Sequence, residues 1–472
     1  MKRIIAALVA VALTAPSAAP AQDGGPSGQA PDLQLTLAQA IDMAVTNSPV
    51  VKAGADAVRS AQSRMEQAHS YKVPSLSVTG RYFYSNNLPG MFLQSAKQVP
   101  VMSSTGPVQG DFVTIRPMAP FPAQARDVLT TDLNLAYPIY TGGRITKANE
   151  NAKKASEAAT SDLKQQTSEL VLNVTTAFDN VLLLKKVIAV NQQALDQFKA
   201  HYALAQTAYE NGVRSEFDVL MFQSKVQEFV AKLVDLHGKL ELAESGLKAL
   251  LALPAGATVD CVGELVTADT LSPGDSSAVF STALARNHEM QSLRIRRTML
   301  ENAKAIVSAE RKPALFLFGN YHVYHGMDFP PYDNAWRNGL AFGVGLSMQV
   351  FDGNLTTGKI QEVNANEQML EDHLAGMKIK LRTEITKVLI TLHNLRARLA
   401  AEQVHLAVAE KAHDIAKVSY ANGVITVVEL NDSEVEVAAV QTAILNTQKD
   451  MTLAYARLVD LEGGDGVVHT TR

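Results

Sequence analysis

The sequence predicts an α+β membrane protein. Each chain would contribute four β-strands to a trimeric, 12-stranded β-barrel that continues as a long α-helical coiled-coil barrel. Three features of the 472-residue chain support this fold: two internal repeats, two very long segments with a seven-residue apolar period, and four short strands of alternating polarity. The two segments with the seven-residue period are too long to belong to a compact globular domain.

The N-terminus has the features of a secretory signal peptide. Lys2 and Arg3 precede an apolar run over residues 4–13, and Ala19-Pro20-Ala21 forms a small-residue cleavage site. Cleavage after Ala21 would remove two of the 43 basic residues and none of the 47 acidic ones, which gives a net charge of about −6. We therefore expect the mature protein in the periplasm, outside the cell or in the outer membrane.

Composition excludes several function classes. The 43 Lys and Arg residues do not outnumber the 47 Asp and Glu residues, so we expect no nucleic-acid partner. Cys261 is the single cysteine, which excludes disulfides and cysteine-based metal sites within one chain. No nucleophile and base occur at a recognisable spacing, and Gly343-x-Gly345 lies within a strand rather than before a helix. We expect neither enzymatic activity nor a cofactor.

An internal repeat is the most informative feature. Residues 137–145 match residues 348–356, and Tyr209-Glu-Asn-Gly-Val matches Tyr420-Ala-Asn-Gly-Val at the same offset of 211. The match predicts five segments: a signal peptide (1–21), a first repeat (22–253), a linker (254–277), a second repeat (278–463) and a C-terminal tail (464–472). Each repeat should contain a helix, two strands, a very long helix, a sharp turn and a further helix.

The first repeat carries an insertion. Residues 74–82 match residues 313–321 at an offset of 239, so 28 additional residues lie between Tyr82 and Tyr137. They fall in Ser85–Gln124, which is rich in proline and is predicted to be a long irregular loop.

In the first half, a long run without glycine or proline predicts a very long helix. Arg144 to Asn211 spans 68 residues, which at about 1.5 Å each would form a rod of about 100 Å. Apolar residues recur every seven positions in two columns: Leu163, Leu170, Ala177, Leu184 and Phe198, and Val174, Val181, Ile188, Leu195 and Tyr202. The second half repeats the pattern with Leu374, Leu381, Val388 and Leu395 beside Ile385, Leu392, Leu399 and Leu406. A strict seven-residue period predicts supercoiled helices.

Four strands have one apolar and one small or polar face. The pattern covers 75–84, 129–140 and 340–350, and the strand that begins near Ala314 is more apolar throughout. Strands of about 10 residues with aromatic residues near their ends match the span of an outer-membrane barrel. Because about eight strands are the minimum for such a barrel, the others must come from further chains, and a trimer supplies twelve.

Several motifs resemble those of one family. They run from Leu35-Thr-Leu-Ala-Gln-Ala-Ile through Tyr140-Thr-Gly-Gly-Arg to Leu458, and the turns at 209–220 and 420–430 are the most specific. With them the chain resembles the TolC-type outer membrane factors. The resemblance implies a passive exit duct of a tripartite efflux pump or type I secretion system. It also implies an outer-membrane location extending into the periplasm, and four kinds of partner: its own copies in a homotrimer, the lipid bilayer, a periplasmic adaptor, and an inner-membrane pump or ABC exporter.

The two turns reverse the long helices. Asn-Gly pairs tolerate positive φ, and Ser215-x-x-Asp218 and Thr426-x-x-Glu429 follow them in the pattern of capping boxes. Capping alone is therefore one interpretation of both acids. The resemblance implies further roles in a periplasmic gate. Tyr420 would tie the closed tip to Asp218 near Arg214, whereas Glu429 and Asp432 would surround the lumen. The resemblance also implies adaptor-docking tips formed by Gly212, Val213, Gly423 and Val424.

One position departs from the family pattern. Ile425 stands where some members carry an arginine that is paired with the acid matching Asp218, and here the arginine is Arg214, the equivalent position of the first repeat. The sequence leaves open whether the closing network is rebuilt or lost.

Two other functions and one other site remain possible from the sequence. A non-transporting periplasmic coiled-coil scaffold would leave the strands and the repeat unexplained. A stand-alone diffusion porin is disfavoured, because porins lack long rods and have more strands per chain. His322, His325 and Asp328 could be metal ligands, but their place at the end of a strand favours a structural role.

Overall fold

The computed structural model describes residues 33–85, 97–103, 106–115, 126–254, 256–265, 275–326 and 336–464. The predicted signal peptide, residues 1–21, lies outside the described residues, as does the tail after Gly464. The strands are β1 (Leu33–Leu35), β2 (Ser75–Ser85), β3 (Lys97–Ser103), β4 (Gly106–Ile115), β5 (Arg126–Tyr140), β6 (Val259–Cys261), β7 (Ala314–His325) and β8 (Arg337–Ser347). The α-helices are α1 (Leu37–Asn47), α2 (Pro49–Ser70), α3 (Arg144–Glu210), α4 (Glu216–Leu250), α5 (Ser276–Arg286), α6 (His288–Ser308), α7 (Leu355–Ala421) and α8 (Val427–Leu461).

The main sheet contains the four strands expected from the sequence. It is antiparallel in the order β2-β5-β7-β8, so the first and last strands have open edges among the described residues of one chain. Its alternating apolar positions are exposed: Leu340, Phe342, Val344 and Leu346 in β8 have exposed fractions of 60 to 80%. No other described part of the chain covers this apolar face.

The fourth strand ends earlier than its alternation predicts. The pattern extends to Val350, whereas β8 ends at Ser347, which pairs with Ala314 at the start of β7. Pro313 precedes Ala314 and has no N–H to donate, so the ladder cannot continue past this pair.

The insertion is not wholly irregular, and the prediction of a loop over Ser85–Gln124 was wrong in this respect. It contains β3 and β4, which form an antiparallel two-stranded sheet with a register shift between Pro100 and Met102. Alternating polarity is weak in this proline-rich stretch, so it gave no strand signal.

The two long helices are confirmed, and they have the same length. Helices α3 and α7 each contain 67 residues, and helices α4 and α8, which follow the turns, each contain 35. Thus each half has one long and one shorter helix, packed against each other as a hairpin.

The predicted apolar columns form the helical core. In α7, Leu381, Ile385, Leu392 and Leu399 are almost completely buried. In α3, Val174, Val181, Leu195 and Phe198 belong to the largest cluster of buried residues, together with Phe222 and Phe229 of α4. The seven-residue period therefore identified the contact face correctly.

The contact between α3 and α8 differs from the hairpin cores because it contains many buried polar groups. Ser168 donates a hydrogen bond of 2.7 Å to Asp460, and Asp179 and Asn191 on α3 are also buried. This α3–α8 seam is one of several contacts that join the two halves, and apolar residues of α8 such as Leu430 and Ala438 also pack in it.

Two short elements of the fold were not predicted. The helix that begins each half is broken in two, at Ser48 and at Asn287, whose side chains cap the second segment. In addition, β1 pairs in parallel with β6, which ties the start of the chain to the linker around Cys261.

Among the described helices, none is long and apolar enough to cross a membrane.

Candidate functional site

The candidate site lies at the two turns that reverse the long helices. Gly212 and Gly423 have φ of +68° and +73°, and a Cβ at either would meet no atom within 4 Å, so conformation rather than space selects glycine. The Val213 amide donates a 2.8 Å hydrogen bond to the carbonyl of Ala208, and the Val424 amide donates a 2.9 Å hydrogen bond to the carbonyl of Ser419. These bonds close both helices in the pattern of a Schellman motif.

Both turns leave a valine at the end of the molecule. The exposed fractions of Val213 and Val424 are 74% and 75%. The structure thus places the predicted docking residues Gly212, Val213, Gly423 and Val424 on exposed tips, with an apolar side chain at each.

The helices after the turns are capped in different ways. Thr426 and Glu429 form a complete capping box, in which the Thr426 amide donates to Glu429 Oε2 at 2.8 Å. Ser215 accepts from the Asp218 amide at 3.3 Å, but its hydroxyl donates to Asp218 Oδ1 at 3.1 Å. The capping box predicted at the start of α8 is therefore complete. At the start of α4 only the Ser215 half of the predicted box is present, because Asp218 does not accept from the Ser215 amide.

Asp218, Tyr420 and Arg214 come together between the two hairpins. The Tyr420 hydroxyl donates to Asp218 Oδ2 at 3.2 Å. The Arg214 guanidinium donates to the Tyr420 backbone carbonyl, lies 4.3 Å above the centre of its ring, and has one nitrogen 3.9 Å from Asp218 Oδ2. This network ties the end of α7 to the beginning of α4.

The network has an apolar support. The ring of Phe222, which is fully buried, contacts Tyr420 edge-on at a centroid distance of 5.9 Å. Burial, followed by the nearby Asp218 charge, raises the pKa of Tyr420 to about 12. The Tyr420 hydroxyl therefore remains protonated and a donor at physiological pH.

Glu429 and Asp432 do not join this network. Both side chains are exposed on the first turns of α8, and hydrogen bonds from Thr426 lower the pKa of Glu429. Glu429 is thus an ionised cap residue, and within the part of the chain that the structure describes neither acid has a hydrogen bond or ion pair with the other three predicted gate residues.

The chain matches one family model over two stretches. The model of the family described as outer membrane efflux protein covers residues 40–253 and 279–464. The chain belongs to the outer membrane efflux protein family. No curated protein matches it by sequence.

Solved structures share its fold at low identity. VceC, an outer membrane protein of Vibrio cholerae, gives a TM-score of 0.71 at 19% identity over 91% of this chain and 96% of VceC. CusC, which forms a transmembrane channel, gives 0.73 at 16% identity over 94% of this chain and 95% of CusC. The open state of the outer membrane channel MtrE of Neisseria gonorrhoeae gives 0.70 at 14% identity over 92% and 91%. At these identities the comparison establishes the fold.

In this efflux protein, Arg214 makes a contact that Ile425, at the equivalent position of the second repeat, cannot make. The structure places the first-repeat arginine on the same tyrosine and acid, so the contact that Ile425 cannot make is supplied from the other hairpin. Arginine suits this position because its planar group can contact a carbonyl, a carboxylate and a ring together.

The histidines considered as metal ligands have other contacts. A ring nitrogen of His322 lies 3.2 Å from Asn320 Oδ1, and the ring of His325 packs on Trp336. Asp328 lies outside the described residues. Among the described residues, no group of three or more His, Cys, Asp or Glu side chains could hold a metal ion.

A second polar cluster, one heptad before Tyr420, was not predicted from the sequence. His413 continues the column of Ile385, Leu392, Leu399 and Leu406, so it is a polar residue at an apolar position. It forms an ion pair with Glu434 of α8 at 2.9 Å. A histidine within this apolar column was the sequence signal that could have predicted the cluster.

Proposed function

We propose that three copies of this chain form a passive exit duct through the outer membrane and the periplasm, without catalytic activity. The observation that carries the proposal is the connection of an open sheet with an exposed apolar face to helices of 67 residues. Exposed apolar patches of this extent indicate contact with lipid or protein.

The open sheet supports trimer formation. Four antiparallel strands with free edges β2 and β8 leave two rows of backbone groups unpaired, which is unfavourable in lipid. Pairing β2 of one copy with β8 of the next satisfies both edges, and three copies give twelve strands. The two stretches matched by one family model support the internal duplication, so such a trimer would have pseudo-sixfold symmetry.

The helices support a tube below the barrel. At about 1.5 Å per residue, a 67-residue helix is about 100 Å long, and each chain contributes two. The turns would then lie at the periplasmic end, and the insertion with β3 and β4 at the opposite, extracellular end.

We assign the gate to that periplasmic end. Asp218, Tyr420 and Arg214 would hold the resting tip closed, whereas Glu429 and Asp432 would place six carboxylates around the opening of a trimer. Such a ring attracts cations and repels anions.

The exposed tips are the proposed contact with a periplasmic adaptor. Val213 and Val424 are apolar, and both end helices that are capped by other residues. An adaptor would connect the duct to an inner-membrane pump or ABC exporter, which would supply the energy for transport.

An export assay tests the proposal. Cells without this protein should accumulate a compound that the wild type expels, and removing the inner-membrane pump as well should add no further defect. Export at the wild-type rate in cells that lack the protein would contradict the exit duct and favour the scaffold.

A further inference from the structure

A buried polar cluster joins three helices about one heptad from the gate. His413 of α7 forms an ion pair with Glu434 of α8 at 2.9 Å, and the exposed fractions of the two side chains are 13% and 5%. Its other ring nitrogen lies 3.1 Å from the Ser433 hydroxyl. With its amide nitrogen facing Glu434, Gln197 of α3 donates to Glu434 Oε2 at 2.7 Å. Glu434 therefore connects the second hairpin to the first.

We propose that His413, Glu434 and Gln197 form a protonation-dependent latch that holds the α7–α8 hairpin against α3. The inference rests on the proposed channel function and extends it from the tips to the helices behind them. The latch closes when His413 is charged and weakens when His413 is neutral.

Packing alone does not explain these residues. The position equivalent to His413 in the first repeat is Tyr202, which packs against the core, so the helix pair accepts a larger and less polar side chain there. A buried ion pair is a weak source of stability, because desolvation offsets much of the attraction, but a polar residue in an apolar column does specify which helices associate.

A neighbouring side chain indicates that the seam is not packed for maximal stability. Asn431 of α8 is 1% exposed, and neither its Oδ1 nor its Nδ2 has a hydrogen-bond partner among the described residues. An unpaired buried amide costs about 1 to 3 kcal/mol. A seam with this defect beside an ion pair is suited to separate and re-form.

The charges around His413 favour its protonated form. Glu434 on α8 raises the pKa of His413 above its ordinary value, and Asp414 on α7 acts in the same direction, whereas burial and Lys417 on α7 oppose them. His201 on α3 also faces this cluster, and burial lowers its pKa, whereas the Glu434 charge acts in the opposite direction.

The direction of the pH effect follows from this shift. A raised pKa in the closed state means that the latch contributes fully below the ordinary pKa of 6.5 and is lost as pH rises through the pKa of the closed state. The closed tip should therefore be more stable at about pH 5.5 than at about pH 8.5.

The test is a planar-bilayer recording of the complete protein at these two pH values. His413→Gln keeps a hydrogen-bond donor but cannot become charged, and Glu434→Gln removes the opposite charge. A matched control exists on the same two helices: His405 and Glu436 also pair, at 3.2 Å, but both are 53% exposed, so His405→Gln should behave as the wild type.

We expect the wild type to open at least about threefold more often at the higher pH, and both latch variants to be open at either pH. A pH response that survives in His413→Gln, or one that disappears in His405→Gln, would overturn the latch. A protein that forms no channel would contradict the proposed function instead.

If the protein forms no channel, hydrogen exchange of residues 411–436 still tests the latch. If His413→Gln loses protection relative to the wild type at the lower pH only, the latch is supported. Equal differences at both pH values would overturn its dependence on protonation.

Discussion

The Tyr420 hydroxyl donates a 3.2 Å hydrogen bond to Asp218 Oδ2, so the last turn of α7 is bonded to the first turn of α4. The two residues are 202 positions apart in sequence and belong to different hairpins. Any movement that separates the hairpins at their tips must break this bond and the Arg214 contacts that share both residues.

Replacing Tyr420 by Phe should raise the open probability of the channel. The change removes one hydrogen bond to a carboxylate, worth about 1 to 2 kcal/mol, which shifts the closed-to-open ratio about 5- to 30-fold. Single-channel recording measures this ratio. Tyr209→Phe is the matched control, because Tyr209 is the equivalent residue of the first repeat and is exposed. Unchanged gating in Tyr420→Phe would mean that closure depends on other contacts.

Glu429 should contribute to ion selectivity through its charge and to stability through its cap. Glu429→Gln retains the capping box, since glutamine can replace glutamate there, but removes the charge, whereas Glu429→Ala removes both. A ring of six carboxylates should also bind trivalent cations, which would block the channel. Combined with Asp432→Asn, Glu429→Gln should bring the cation-to-anion permeability ratio towards one and abolish this block. If selectivity and block are unaltered, these acids act only as helix caps and solvated surface charges and do not surround the pore.

Much of the fold was predictable because its signals are periodic. The seven-residue columns of α3 and α7 and the alternation of the four strands are each repeated over many residues. The hairpin of β3 and β4 and the short pair β1–β6 lack such periods and depend on contacts that sequence distance conceals. The capping pattern alone could not separate the roles of Asp218 and Glu429, since both acids follow it. The family resemblance pairs Asp218 with Tyr420, and the structure contains that hydrogen bond.

The two exposed valines should be required for export but not for assembly. Val213→Asp with Val424→Asp places charge on both apolar tips, while the caps at Ser215 and Thr426 are unchanged. We expect cells to lose export of a compound that the wild type expels, while trimer levels on gels of unheated membranes remain normal. Val213→Ile with Val424→Ile preserves the apolar tips and should export normally. Wild-type export in the aspartate variant would show that the tips are not the docking site.

Asp179 should make stability depend on pH. Burial raises its pKa from 3.8 to about 7, against the opposing effect of Lys449, so the folded protein loses stability as pH rises from the unfolded pKa to the folded one. Stability should fall between about pH 4 and pH 7, and Asp179→Asn should recover up to about 4 kcal/mol at about pH 8 with little gain near pH 4. The apparent melting temperature at both pH values measures this. Asp196→Asn, an exposed change on the same helix, should have no such effect. A pH profile that is unchanged in Asp179→Asn would refute the assignment.

Electron cryo-microscopy of the purified protein in lipid nanodiscs would reveal how its copies associate. We expect three chains around one axis, with β2 of each chain paired to β8 of its neighbour in a closed 12-stranded barrel, and with α3, α4, α7 and α8 forming a continuous tube that narrows at Tyr420. A monomer with an open four-stranded sheet, or a trimer whose strands lie outside the lipid, would contradict the exit duct.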